Sequence, residues 1–402
     1  MADSQHLHCF YITATIITYV LTHSCADGAR PQDLGTYSLQ QQAPTNPIHT
    51  DRFGVGVALP VTAGPGGGSY VVTVGFGTPK VDFPLLFDTG SDVSWVYCHS
   101  CSQGCTPGSP TFNPSLSSTS SSVPCKAACD YAVEYHDRSQ SIGVYARDTI
   151  SLADTESQEG FIFGCAEKVS GDFGRTAGVL GLGQGQFSLL AQTDPNLFSI
   201  FCYCLPPTDS ATGVLWFGVQ AMESCRPGAS KMISLVVEPN NNGLTNYFVK
   251  FTGITIGSQR LDFNSLVSSP MSTIIDSGTV VTRLPPAVYS ALRAAFRGMM
   301  SGYPAAEPTN LLDTCYNLEG REQDWTPPAM AMHFEDSVDV GLDPSAVTLR
   351  EGDGESASRV CLAFAGNGDE NELTIIGTQQ HRGLRVYYDI NGQKLAFAAG
   401  GC

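Results

Sequence analysis

The sequence predicts a mostly-β protein made of two related β lobes with a cleft between them, and three observations carry that prediction. The chain has 402 residues, enough for two units of about 100–200 residues, each with its own core. Gly (42) and Pro (24) are abundant while charged residues make up only 15%, below the roughly 25% of an ordinary globular domain, which suits short strands joined by tight turns. Finally, one pattern of apolar strand plus polar turn occurs twice, once in each half of the chain.

Taken in order, the chain opens on an apolar run from Cys9 to Leu21 followed by Ser24-Cys25-Ala26, which reads as a signal peptide over residues 1–26. The run is shorter than the 18 or so apolar residues of a spanning helix, so no membrane anchor is expected. Residues 27–65 are rich in Gln, Pro, Thr and Gly and read as a short pro-segment or linker. A first lobe is expected over 66–240 and a second over 241–402. Strand patterning begins at Tyr70–Gly77 and Phe83–Phe87. It returns near Tyr131–Tyr135, Val144–Leu152, Gly160–Gly164, Val214–Gly218, Tyr247–Ile256 and Thr273–Ile275. The clearest helix is Pro286 to Met300, with Val288, Leu292, Ala295, Phe296 and Met299 at three- and four-residue spacing behind a first-turn proline.

The repeat gives the chemistry. Phe83-Pro84-Leu85-Leu86-Phe87-Asp88-Thr89-Gly90-Ser91 is echoed by Met271-Ser272-Thr273-Ile274-Ile275-Asp276-Ser277-Gly278-Thr279. Each copy is followed by its own hydrophobic-hydrophobic-Gly element, Gly178-Val179-Leu180-Gly181 in the first half and Thr374-Ile375-Ile376-Gly377 in the second. An unpaired buried carboxylate is costly at the end of an apolar strand, so the turn must compensate it. Gly90 and Gly278 allow a positive φ or a close backbone approach, and the hydroxyls of Thr89, Ser91, Ser277 and Thr279 can donate hydrogen bonds that satisfy and orient the carboxylates. If the lobes face one another, Asp88 and Asp276 meet and cannot both ionise cheaply, so one keeps its proton. Such a pair can activate a water toward a peptide carbonyl without an acyl-enzyme. One such turn alone would be an ordinary post-strand turn.

With both turns in place the chain resembles the pepsin-like aspartic proteases, in particular their plant nepenthesin-like branch, over residues 68–402. The resemblance also rests on Trp95-Val96, the Cys-rich segment 98–129, Phe163-Gly164-Cys165, Tyr203-Cys204-Leu205, Arg283-Leu284-Pro285, Leu312-Asp313-Thr314-Cys315-Tyr316, Cys361 to Asn367, and Gly400-Gly401-Cys402. It implies the bilobal pepsin-like acid protease fold, a secreted aspartic endopeptidase made as a zymogen and acting as a monomer on peptide or protein substrates, and no cofactor or metal. Asp88 and Asp276 would be catalytic, with Ser91 and Thr279 bracing them. Tyr135 would be the tyrosine of a β-hairpin flap over the cleft, packed on Trp95. Family flaps read Tyr-Gly-Asp-Gly-Ser, whereas this one reads Tyr135-His136-Asp137-Arg138-Ser139. Losing two glycines predicts a different turn, and Arg138 with protonated His136 would favour acidic substrates. The apoplast and the vacuole both fit.

Fourteen cysteines, twelve after cleavage at Ala26, suit disulfides in an oxidising compartment. Cys202 with Cys225 and Cys315 with Cys361 are the pairings expected, while Cys98, Cys101 and Cys105 with Cys125 and Cys129 admit a zinc site as the alternative. The net charge of −17, with only 21 Lys and Arg, argues against nucleic-acid binding. Gly181-Leu182-Gly183-Gln184-Gly185 is glycine-rich but lacks the Gly-Lys-Ser/Thr of a phosphate cradle. The rival class is a catalytically inactive protein on the same scaffold, acting as an inhibitor or binding protein in the manner of xylanase inhibitors, because fold alone does not fix function.

Overall fold

A computed structural model describes residues 56–400 apart from 65–67, 124–128, 154–155, 226–231, 238–244, 268–270, 323 and 352–357. The expected signal peptide, most of the 27–65 segment, Cys125 and Cys402 lie outside the described residues.

The first aspartate-bearing strand is built by alternation. In Val81–Asp88 the side chains of Phe83, Leu85 and Phe87 are fully buried at alternate positions, and Asp88, at the end of the strand, is buried as well. Burying each of these three stabilises the lobe by roughly 1.5–3 kcal/mol. The strand pairs antiparallel with Tyr70–Phe76 and parallel with Gly178–Gly181, where Asp88 stands opposite Gly181. Trp95–Tyr97 then returns antiparallel to Gly178–Gly181.

The second half repeats this arrangement. Thr273–Ile275 runs parallel to Thr374–Ile376, with Ile275 opposite Ile376, and Thr282–Leu284 lies antiparallel to Thr374–Ile376. Each hydrophobic-hydrophobic-Gly element is thus the parallel neighbour of the aspartate-bearing strand of its own half. The helix forms over Pro286–Met299 with Val288, Leu292 and Phe296 buried. Met299 faces solvent at its end, and Met300 takes the inward place instead.

Two boundaries differ from the sequence reading. Val57–Ala63, assigned there to the pro-segment, is a strand paired with Gly213–Phe217 on one side and Tyr70–Phe76 on the other. Its Val57, Leu59 and Val61 are buried at alternate positions. The folded body therefore starts before residue 66. The lobes are also not separate sheets. Leu384–Asp389 and Lys394–Ala399 form a hairpin that joins the first-half strand Ile200–Cys204, Cys202 opposite Tyr387, so the large sheet runs across the division expected at 240.

The disulfides Cys202–Cys225 and Cys315–Cys361 form as expected. Cys98 pairs with Cys165, and Cys101 with Cys105, so these sulfurs are cross-links and not zinc ligands. Among the described residues no helix is long and apolar enough to cross a membrane.

Candidate active site

The two halves bring Asp88 and Asp276 together in matching cradles. Gly90 N–H donates to Asp88 Oδ1 at 2.8 Å and the Ser91 hydroxyl donates to Asp88 Oδ2. Gly278 N–H donates to Asp276 Oδ1 at 2.8 Å and the Thr279 hydroxyl to Asp276 Oδ2 at 2.6 Å. Both aspartates are buried. Neither glycine needs a positive φ; the requirement is space. A Cβ on Gly90 would lie 2.6 Å from the Asp276 carboxyl carbon, and one on Gly278 2.6 Å from that of Asp88. Each turn must be bare for the opposite carboxylate to approach.

Thr89 and Ser277 do different work from that expected. Their hydroxyls do not touch the carboxylates; they cross between the lobes. Thr89 N–H donates to Ser277 Oγ and Ser277 N–H to Thr89 Oγ1, both at 2.9 Å. Thr89 Oγ1 also donates to the Ile275 carbonyl at 3.3 Å, and Ser277 Oγ to the Phe87 carbonyl at 3.0 Å. This reciprocal clasp satisfies buried backbone groups of both turns and fixes the spacing of the aspartates.

Burial first, and then the facing Asp276 carboxylate, hold Asp88 well above the ordinary carboxylate range, against the pull of the Ser91 and Gly90 hydrogen bonds. The pair therefore carries a proton under conditions where a free aspartate would not.

Above the site, Asp130–Glu134 and Gln140–Ser151 form the flap hairpin, with Glu134 opposite Gln140. Trp95 Nε1–H donates to the Tyr135 hydroxyl at 2.7 Å, and both rings meet Phe173 edge-on. Burial first, and then the charge of Asp88, push the Tyr135 phenol well up. The flap keeps a left-handed residue despite its missing glycines: Arg138 takes φ 67°. Asp137 steadies the tip by accepting from Ser139 N–H at 2.9 Å and Ser139 Oγ at 2.5 Å. Burial and the Arg283 guanidinium lower the His136 imidazole, so it gains a proton only in more acid conditions than a free histidine.

Sequence reasoning missed the polar network under the site. The Tyr203 hydroxyl lies 3.1 Å from His381 Nδ1 and 3.2 Å from the Tyr388 hydroxyl. It also missed Asp92, which accepts from Gly185 N–H at 2.8 Å and from the Thr245 hydroxyl. The glycine spacing at 181–185 was the available signal for the latter.

Two related β lobes that each deliver one carboxylate, in the same hydrogen-bond cradle, to a shared point define the aspartic peptidase architecture. The chain belongs to the eukaryotic aspartyl protease family, whose model matches residues 69–400. Aspartyl protease AED1 of Arabidopsis thaliana is 39% identical over 351 residues, spanning 84% of this chain and 73% of that one. Aspartic proteinase nepenthesin-2 of Nepenthes gracilis is 30% identical over 369 residues, spanning 86% and 80%. Among solved structures, conglutin gamma, a basic 7S globulin from lupine seeds, superposes with a TM-score of 0.67 at 17% identity, over 86% of this chain and 95% of that one. Basic 7S globulin from soybean gives 0.65 at 18%, over 85% and 96%. At those identities the likeness is one of fold.

Proposed function

We propose that the protein is a secreted aspartic endopeptidase acting in acid on extended peptide segments, as a monomer and without a metal or cofactor. The observation that carries this reading is the completeness of both cradles: each aspartate has its Gly N–H and its hydroxyl donor, and the interlobe clasp between them is intact. The pair shares one proton, assigned to Asp88, whose carboxyl is held high. A water between the carboxyls gives one proton to the Asp276 carboxylate as its oxygen attacks the scissile carbonyl carbon, while Asp88 donates its proton to the carbonyl oxygen. The tetrahedral diol then collapses, a proton passes to the amide nitrogen, and the C–N bond breaks. Disulfides such as Cys98–Cys165 favour an oxidising compartment, the apoplast or the vacuole. The test is cleavage of an unstructured protein at acid pH, with and without an inhibitor directed at the carboxylate pair. A second reading, a binding or inhibitory protein without turnover, draws support from the solved structures of this fold named as 7S globulins. Failure to cleave at any acid pH after processing supports that reading.

A further inference from the structure

We propose that Asp92 is a positioning residue for the catalytic pair, pinning the glycine loop 181–185 and the interlobe segment 245–246 onto the first catalytic turn so that Gly90 is held in place to cradle Asp88.

The loop that no phosphate-binding pattern explained is folded around this one carboxylate. A Cβ on Gly185 would meet the Asp92 carboxyl carbon at 2.5 Å, and one on Gly181 would meet the Asp92 carbonyl carbon at the same distance. A Cβ on Gly183 would lie well inside the van der Waals contact distance of Asp92 Oδ1. Asp92 Oδ1 accepts from Gly185 N–H and Oδ2 from the Thr245 hydroxyl. Among the described residues no Lys, Arg or His forms an ion pair with it; the titratable groups that sense its charge are Tyr145 and Tyr247. A part-buried carboxylate held only by neutral donors is costly. It invites a reason beyond packing.

The bonds lead from Asp92 to the catalytic turn by two routes. Gly183 N–H donates to the Ser91 carbonyl at 2.9 Å and Leu182 N–H to the Asp88 carbonyl at 2.8 Å. On the other side, Gln184 binds the backbone of Thr245 and Asn246. Asn246 Nδ2 then donates to the Gly90 carbonyl at 2.8 Å. Gly90 is the residue whose N–H donates to Asp88 Oδ1. Gly90, whose N–H stabilises the ionised form of Asp88, is therefore held at its own carbonyl through partners that Asp92 gathers.

The second lobe has no counterpart. Gly377 packs on the carbonyls of Thr279 and Val280 much as Gly181 packs on those of Ser91 and Asp92, so Val280 stands at the equivalent of Asp92. The device thus belongs to the Asp88 side, where the chain crosses into the second half. The charge that acts on Asp88 is that of Asp276. The influence of Asp92 runs through hydrogen bonds, so a neutral residue with the same bonding capacity should substitute for it.

The test uses the full-length chain as wild type, Asp92→Ala, Asp92→Asn and Asn246→Ala, with aspartates labelled at the carboxyl carbon and the Asp88 signal assigned by Asp88→Asn. A weaker Gly90 bond stabilises ionised Asp88 less, so its titration should move upward by about 0.5–1 pH unit in Asp92→Ala and in Asn246→Ala. Asp92→Asn keeps an acceptor for Gly185 and gains a donor for Thr245, and should titrate as wild type. The kinetic arm rests on the peptidase reading: kcat should fall about 10- to 100-fold in the two alanine variants with KM changed little, and recover in Asp92→Asn. Asp88 titrating at its wild-type pH in Asp92→Ala and Asn246→Ala overturns the proposal. If Asp92→Ala does not fold, Asn246→Ala alone decides. A wild-type chain that stays inactive after processing overturns the peptidase reading, and the carboxyl titration still decides this one.

Discussion

His381 makes the stability of the protein fall in the acid range in which the proposed peptidase would work. The imidazole is fully buried beside Tyr203, and burial lowers it from an ordinary 6.5 to about 3. Below pH 6.5 the unfolded chain takes up a proton that the folded chain refuses until about pH 3, so the unfolded state binds more protons and folding weakens as pH falls through that window. At 1.36 kcal/mol per pH unit over that interval, the group costs about 5 kcal/mol between neutral pH and pH 3, and nothing further below it. His381→Gln keeps an acceptor near the Tyr203 hydroxyl and removes the titration. Denaturant unfolding of both proteins from pH 7 to pH 3 should show the difference between them shifting toward the variant by about 5 kcal/mol, with most of the change below pH 6.5. Two stability curves that stay parallel across that range would refute the reasoning.

Three further outcomes follow from the site. Gly90→Ala or Gly278→Ala should fold yet lose about 10²-fold in kcat, because the new methyl displaces the opposite aspartate; an unchanged kcat would contradict the close approach. Trp95→Phe removes the donor to the Tyr135 hydroxyl and leaves a void at a fully buried position, so the melting temperature should fall and kcat/KM should drop about fivefold when read by steady-state kinetics well below that temperature. Arg138→Gly should relax any preference for acidic over matched neutral peptides while leaving the turn intact, since φ 67° suits glycine; equal cleavage of both peptides by the wild type would remove the basis for the idea.

Much of the fold was legible because it is local. Alternation in Phe83–Phe87, the first-turn proline before Val288, and two turns of matching composition each announce themselves within a dozen residues. The hydroxyls of Ser91 and Thr279 donate to Asp88 and Asp276, three residues away in the same turn, a bond that the motif itself makes visible. Thr89 and Ser277 were misread because their partners lie on the other lobe, and a motif shows which groups can bond without showing where they point. Val57–Ala63 was hidden by its setting. Its alternation is real, but Pro60 within the strand and the Gly-rich stretch after it gave it the look of a linker. Asp92 and His381 stayed invisible for a related reason. Their bonds reach Gly185, Thr245 and Tyr203, 93, 153 and 178 residues away in the chain, and only the folded structure joins them.

The central claim is that two carboxylates sharing one proton hydrolyse peptides. The most direct measurement is the acid-pH cleavage rate of an unstructured protein by the processed wild-type chain, Asp88→Asn and Asp276→Asn, each confirmed folded. The wild type should cleave, and either substitution should remove about 10²- to 10⁴-fold of its rate. Equal cleavage by wild type and both variants would contradict the account.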